Sequence, residues 1–189
     1  LLDKPAGLSS NQALQRVRRL LNARKGGHTG SLDPFATGML PICLGEASTP
    51  AAYLLEASKV YRAVACLGKA TTSGDIEGEV MREQEVPVLD DGQVNAVLNS
   101  FLGEIQQIPP MYSALKYQGQ PLYKLARQGI SVERKARQVT IFQLKLISWQ
   151  SPLLTFEASC SKGTYIRTLA EDICAGLGSC GHLRELRRI

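Results

Sequence analysis

The chain has 189 residues, with 22 Lys and Arg against 17 Asp and Glu, a formal charge of +5, and 44% of its residues are hydrophobic. That length suits one domain with at most a small appendage, and the composition excludes a disordered or fibrous chain. Apolar runs end after a few residues, as at 64–67, far short of the roughly 20 that a membrane-spanning helix needs.

The chain opens Leu1-Leu2-Asp3-Lys4-Pro5, with no Met, basic n-region or apolar h-region, which reads as the start of a fragment or trimmed chain rather than of a signal peptide. Ser9-x-x-Gln12 then resembles a capping box. Ala13, Leu14, Val17, Leu20 and Leu21 follow at helical spacing, so a helix is predicted over about residues 10–22, with Arg16, Arg18 and Arg19 mostly off the apolar stripe. Residues 26–38 hold four glycines and Pro34, which suits a shaped loop and neither an ordinary helix nor a central strand.

Residues 59–67 predict a strand buried on both faces. Asp90 caps a helix carrying Val94, Val97, Leu98, Phe101 and Leu102, and Gly103 stops it. From 108 to 138 the character changes: Pro109, Pro110, Gly119, Pro121 and Gly129 surround tyrosines and lysines. This stretch reads as an excursion from the core, with one short helical piece at about 122–127. Residues 139–149 and 153–160, rich in β-branched and aromatic side chains, predict a hairpin about Gln150-Ser151-Pro152. After a break at Gly163, the residues Ile166, Leu169, Ala170, Ile173, Cys174 and Leu177 form a helical stripe ending at Gly178, with Arg167 at its edge. Helix, strand, helix, hairpin, helix is the order of an α+β domain with a mainly antiparallel sheet.

The net charge is the remainder of opposed blocks. Residues 1–32 set six basic side chains against Asp3 alone, and residues 116–137 set six against Glu133 alone, whereas residues 33–115 hold four basic and eleven acidic ones. Basic segments beside Tyr112, Tyr117 and Tyr123 suit a phosphate backbone with unstacked bases, and equally suit solvated helical faces. The five cysteines are odd in number and irregularly spaced, so they read as free thiols. Cys174, Cys180 and His182 match no structural zinc spacing.

Asp33 is the most suggestive single residue. It lies in the glycine-rich loop directly before Pro34, which disfavours helical geometry at Asp33. A carboxylate there suits a nucleophile, a general base or a metal ligand, or merely an Asx-turn that organises the loop. The loop is no phosphate-binding P-loop, because the Gly-Lys-Ser/Thr ending is absent.

Taken together, Leu2-Asp3-Lys4-Pro5, Gly27-His28-Thr29-Gly30-Ser31-Leu32-Asp33-Pro34-Phe35-Ala36-Thr37-Gly38, Lys59-Val60-Tyr61 and Ser161-Lys162-Gly163-Thr164-Tyr165-Ile166-Arg167-Thr168 closely resemble the four signature segments of the TruB-type tRNA pseudouridine synthases. The resemblance runs through Met111-Tyr112-Ser113-Ala114-Leu115-Lys116 to the closing Leu186-Arg187-Arg188. It implies the α+β pseudouridine synthase fold, a mixed and mostly antiparallel sheet with flanking helices, and a thumb-like insertion at about 109–138. It implies as activity the isomerisation of the T-loop uridine of tRNA at position 55, flipped out of its stack.

By the same resemblance Asp33 is the catalytic carboxylate. Arg167 pairs with it, lowering its pKa and fixing its direction. Tyr61 stacks on the uracil or takes a proton from the substrate, Tyr165 and Leu186 line the uridine pocket, and His28 holds the gap the base leaves. Asp75, within Thr71-Thr72-Ser73-Gly74-Asp75-Ile76-Glu77-Gly78, contacts Arg167. Lys4 and Lys116 contact phosphate or support the loop. No cofactor or metal is implied. The implied partner is the tRNA T-arm stem-loop, with no protein partner and no membrane, so the expectation is a cytoplasmic monomer. Members of that family carry a PUA-type domain beyond the point matching Ile189, so a catalytic domain lacking that domain, with weaker tRNA affinity and its chemistry retained, is expected. The alternative reading is a tRNA-binding and folding chaperone that acts without catalysis. A glycosidase is weaker, because no second acid accompanies Asp33 in the loop.

Overall fold

The structure, a computed structural model, describes residues 1–48 and 56–189. Strand β1 (Leu2–Lys4) leads into α1 (Ser10–Leu20), whose capping box forms as expected: Ser9 accepts from the Gln12 N–H, and the Gln12 side chain accepts from the Ser9 N–H. The helix stops two residues short of the predicted 22. The glycine-rich stretch is less purely a loop than its composition suggests, since short strands β2 (Gly26–His28) and β3 (Thr37–Leu40) flank it and β2 pairs with β4 (Ile42–Leu44).

Strand β5 (Lys59–Leu67) is followed by a small hairpin of β6 (Lys69–Thr71) and β7 (Val80–Glu83). Next come α2 (Asp91–Ser100), held by an Asp90–Gln93 capping box, and β8 (Gly103–Gln107). The excursion contains β9 (Lys116–Tyr117), β10 (Gln120–Pro121) and α3 (Leu122–Arg127), the last with the predicted bounds. The hairpin of β11 (Arg137–Gln150) and β12 (Leu153–Cys160), then α4 (Ile166–Gly176) and β13 (Gly181–Arg188), complete the chain.

The main sheet has seven strands in the order β1-β3-β13-β5-β12-β11-β8, antiparallel throughout except where β13 runs parallel to β3. One face carries the core. Tyr61, Ala63, Ala65 and Leu67 of β5 and Leu154, Phe156 and Ala158 of β12 pack against Val94 and Leu98 of α2 and Ile166, Leu169, Ala170 and Ile173 of α4. The opposite face stays partly open. On it Arg62 of β5 pairs with Glu157 of β12 at 3.0 Å. The expectation that β5 is buried on both faces is therefore corrected: its burial alternates with period 2, as in a sheet covered on one side.

Strand β13 is absent from the predicted order although it lies near the centre of the sheet. Arg184, Glu185, Arg187 and Arg188 make it look like a surface tail, and a register shift between Leu183 and Glu185 breaks its alternation. Strands β8 and β11 pair with Gln107 opposite Arg137, so residues 108–136 leave and re-enter the fold at one end of the sheet. Arg134 Nη1 donates to the Pro109 carbonyl at 2.9 Å and ties off the base of that excursion. Among the described residues, no helix is long and apolar enough to cross a membrane.

The parallel β3/β13 contact depends on Gly38. Its φ is +104°, and a Cβ there would lie 2.1 Å from the Arg188 carbonyl oxygen. Gly38→Ala should cost about 3 kcal/mol or more through strain and backbone collision, measurable as a lower urea midpoint for the variant. An unchanged midpoint would show that the two strands can part freely.

Candidate active site

Asp33 lies in the connection between β2 and β3, and side chains from the first ten residues pin that connection. The Ser10 hydroxyl, buried at the start of α1, donates to the Leu32 carbonyl at 3.2 Å and accepts from the Leu32 N–H at 2.8 Å. The Pro34 carbonyl accepts from the Gly7 N–H at 2.8 Å and from Lys4 Nζ at 3.2 Å. Leu32 and Ala36 are buried on either side of Asp33. The backbone around the carboxylate is thus fixed from both directions.

Arg167, in the first turn of α4, is 4% exposed, not a surface residue at the edge of a stripe. Its Nε and Nη2 engage the two Asp33 oxygens at 2.9 and 3.2 Å, a bidentate pair. Nη2 also donates to the Tyr112 carbonyl at 2.6 Å. Nη1 donates to the Ser73 carbonyl at 2.9 Å and lies 3.5 Å from Asp75 Oδ2. Asp75 is buried, and its Oδ1 accepts from the Ser73 hydroxyl at 2.6 Å and the Glu77 N–H at 3.0 Å. The Asx-turn weighed for Asp33 is therefore found at Asp75, and both Asp33 oxygens face the guanidinium.

The Asp33 side chain keeps 36% of its surface open, yet the protein packed around the rest raises its pKa above the ordinary carboxylate value. Arg167 pulls the other way, Asp75 adds to the rise, and Lys4 opposes it. The lowering expected from Arg167 is present, but burial outweighs it. Tyr61, on the core face of β5, is pushed up by burial, with the Arg188 charge opposing. A phenol in that state stays protonated at neutral pH, so Tyr61 presents a ring face and is poorly suited as a base. Tyr165 is also pushed up by burial. Its backbone N–H and carbonyl are clamped at 3.0 and 3.3 Å by the side-chain amide of Gln107, which fixes the start of α4 two residues before Arg167.

Asp33, Tyr61, Tyr165, Arg167 and Leu186 line one cavity of about 310 Å³, at the lower end of the size range of small-ligand sites. Lys4, His28, Asp75 and Lys116 do not line it. The Lys4 side chain is fully buried and its ammonium donates to the carbonyls of Pro5, Leu8 and Pro34, which is the geometry of loop support. His28 ends β2, half-buried, and its pKa is lowered by burial and by the nearby Arg188. Lys116 is exposed on β9. A more open groove of about 560 Å³, with Cys66, Leu67, Lys69 and Glu83 among its walls, lies at the other end of β5 and gathers no comparable set of groups.

Lys59, Ser113, Lys162 and Arg188 also line the cavity, and the sequence reading assigned none of them to the site. Alternation along a strand could have found two of them, since Lys59 is two residues from Tyr61 and Arg188 two from Leu186. For Gln107 no local signal exists. His182, weighed as a metal ligand, has its Nδ1 2.7 Å from the Lys69 carbonyl, and the Cys174 thiol is pushed up to about 12 by burial.

A fixed carboxylate, a buried guanidinium and an aromatic ring around one small cavity form the class of site that suits covalent or general acid–base chemistry. The family model described as TruB family pseudouridylate synthase (N terminal domain) matches residues 18–166, and the chain belongs to that family. The tRNA pseudouridine synthase B of Marinomonas sp. (strain MWYL1) is 61% identical over 189 residues, covering 100% of this chain and 61% of that protein. The protein of the same name from Nitrosococcus oceani (strain ATCC 19707) is 59% identical over 188 residues, again 61% of its length. The chain thus spans about three fifths of the curated relatives it matches. Among solved structures, a Cbf5-Nop10-Gar1 complex superposes with a TM-score of 0.76 at 28% identity, over 98% of this chain and 46% of that one. An H/ACA RNP bound to a substrate RNA containing 2′-deoxyuridine gives 0.72 at 25% identity, over 98% and 44%.

One turn along α4 from Arg167, the Glu171 carboxyl lies against Gly74. Burial chiefly, with Asp172 and Asp75, pushes its pKa up to about 7 against the pull of Arg167. A raised folded pKa means a stability contribution present below the unfolded value of about 4.5 and lost as pH rises through 7. Glu171→Gln should therefore be more stable than the parent near pH 8 and equal to it near pH 4, in urea titrations across that range. Equal pH slopes for both proteins would remove Glu171 from the account.

Proposed function

We propose that this chain is the catalytic part of a tRNA pseudouridine synthase, which isomerises the T-loop uridine at position 55 after flipping it into the Asp33 cavity. The observation that carries the reading is the Asp33 carboxylate, held at both oxygens by Arg167 at the wall of a cavity that Tyr61, Tyr165 and Leu186 also line. The similarity to proteins named tRNA pseudouridine synthase B supports it.

In this reading the ionised Asp33 attacks the flipped nucleotide. As the Asp33 carboxylate bonds to the nucleotide the N1–C1′ bond breaks, the C5–C1′ bond forms as Asp33 is released again as a carboxylate, and the C5 proton passes to water while N1 takes one, so the reaction is redox-neutral. Burial makes Asp33 more basic than a free carboxylate, which strengthens it as a nucleophile, and Arg167 keeps it oriented. Tyr61 stacks on the uracil, and Tyr165 and Leu186 close the cavity. His28, which feels the Arg188 charge, holds the gap in the RNA. The excursion at about 109–138, whose Tyr112 carbonyl reaches Arg167, acts as a thumb over the T-arm hairpin, with Lys116 toward its backbone. The protein works as a cytoplasmic monomer on tRNA.

Asp33→Asn should abolish pseudouridine formation in an unmodified T-arm stem-loop, by at least about a thousandfold, while Kd for the RNA changes by less than about tenfold. Mapping pseudouridine after incubation gives the first number and filter binding the second. Conversion by the variant would overturn the mechanism, and a parent protein that binds but converts nothing would favour a folding chaperone.

A further inference from the structure

Besides the Asp33–Arg167 pair, the cavity wall carries three further cationic side chains, Lys59, Lys162 and Arg188. We propose that this wall is a phosphate subsite, which takes a phosphodiester adjacent to the nucleotide whose base enters the cavity. The proposal rests on the reading of the cavity as a uridine site.

Arg188 carries the argument. It is 4% exposed, with Nε donating to the Met39 carbonyl at 2.6 Å and Nη2 to the Gly30 carbonyl at 3.3 Å. Its remaining nitrogen, Nη1, is buried and makes no hydrogen bond to the described residues. Buried donors on a charged group are seldom left unmet, so such a donor in the wall of a cavity marks the place of an acceptor. Strand register brings the second cation to it: Arg188 of β13 stands opposite Tyr61 of β5, and Lys59 lies two residues before Tyr61 on the same face. Both reach Gly30, where a Cβ would meet Arg188 Nη1 at 3.3 Å and Lys59 Cε at 3.4 Å. Gly30 has φ +82°, so the chain passes close under the two cations without a side chain in the way.

Lys162 stands at the rim, 57% exposed and paired with Glu56. Lys59, also near Glu56, donates to the Ala57 carbonyl at 2.7 Å. The proximity of the three cations shows in Lys59, whose pKa is lowered by burial first and by Arg188 and Lys162 after it, with Cys160 and Glu56 opposing. A nucleotide offers a neutral base and a singly charged phosphodiester. The base suits the aromatic and carboxylate side, and the phosphodiester suits this one.

A set of T-arm stem-loops, each with one phosphate replaced by a neutral methylphosphonate, tests the assignment. The parent protein should lose about tenfold in Kd at one or two positions flanking the target uridine. Lys59→Gln and the rim variant Lys162→Gln should bind the all-phosphate RNA more weakly and lose little further at those positions. Equal losses at every position, or position-specific losses as large in the variants as in the parent, would overturn the subsite. The uridine reading fails separately, if the unsubstituted stem-loop yields no pseudouridine.

Discussion

The Arg167 guanidinium is the interaction on which the rest of the site depends. It is removed from water at the start of α4 and meets three segments distant in sequence: the Asp33 loop, the Ser73–Asp75 turn and the base of the excursion at Tyr112. A buried charge is tolerated only when its donors are met. Here each nitrogen has a partner, two of them carboxylates. The same requirement fixes the carboxylates in turn, because either acid without the guanidinium would face the other across a poorly solvated gap.

That gathering has an electrostatic cost spread over its neighbours. Asp33, Glu77 and Glu171 all have raised pKa values, each chiefly from burial. A carboxylate kept partly desolvated is a stronger nucleophile than one at the surface and a poorer contributor to stability at neutral pH. Lys4, fully buried beneath the same loop, supplies a second positive charge on that side and bonds the backbone rather than the acids.

The blockwise charge of the chain acquires different meanings once folded. In α1, Arg16 and Arg19 remain exposed, but Arg18 turns back onto the Ala23 and Arg24 carbonyls and closes the helix end. In the excursion, Lys116, Lys124 and Arg127 face solvent while Arg134 holds Pro109. Part of each basic block is therefore structural, and the remainder is free to meet a phosphate backbone. The cations of the cavity wall come from outside both blocks, which is why dividing the charge along the chain could not find them.

Sequence alone determined what local chemistry dictates. The capping box at Ser9, the cap at Asp90, the short helix at 122–127, the 139–160 hairpin and the special backbone around Asp33 all rest on interactions a few residues apart, and they were legible for that reason. The motifs also carried the family, and with it Asp33, Tyr61 and Arg167. Only the tertiary structure decided the position of β13, whose charges and register shift conceal a near-central strand, and the clamp of Gln107 on Tyr165 across 58 residues. It also decided that burial outweighs Arg167 at Asp33, and that Lys59 and Arg188 converge over Gly30. These depend on which strands become neighbours and how much water is left between them, and neither quantity is written in any short stretch of the chain.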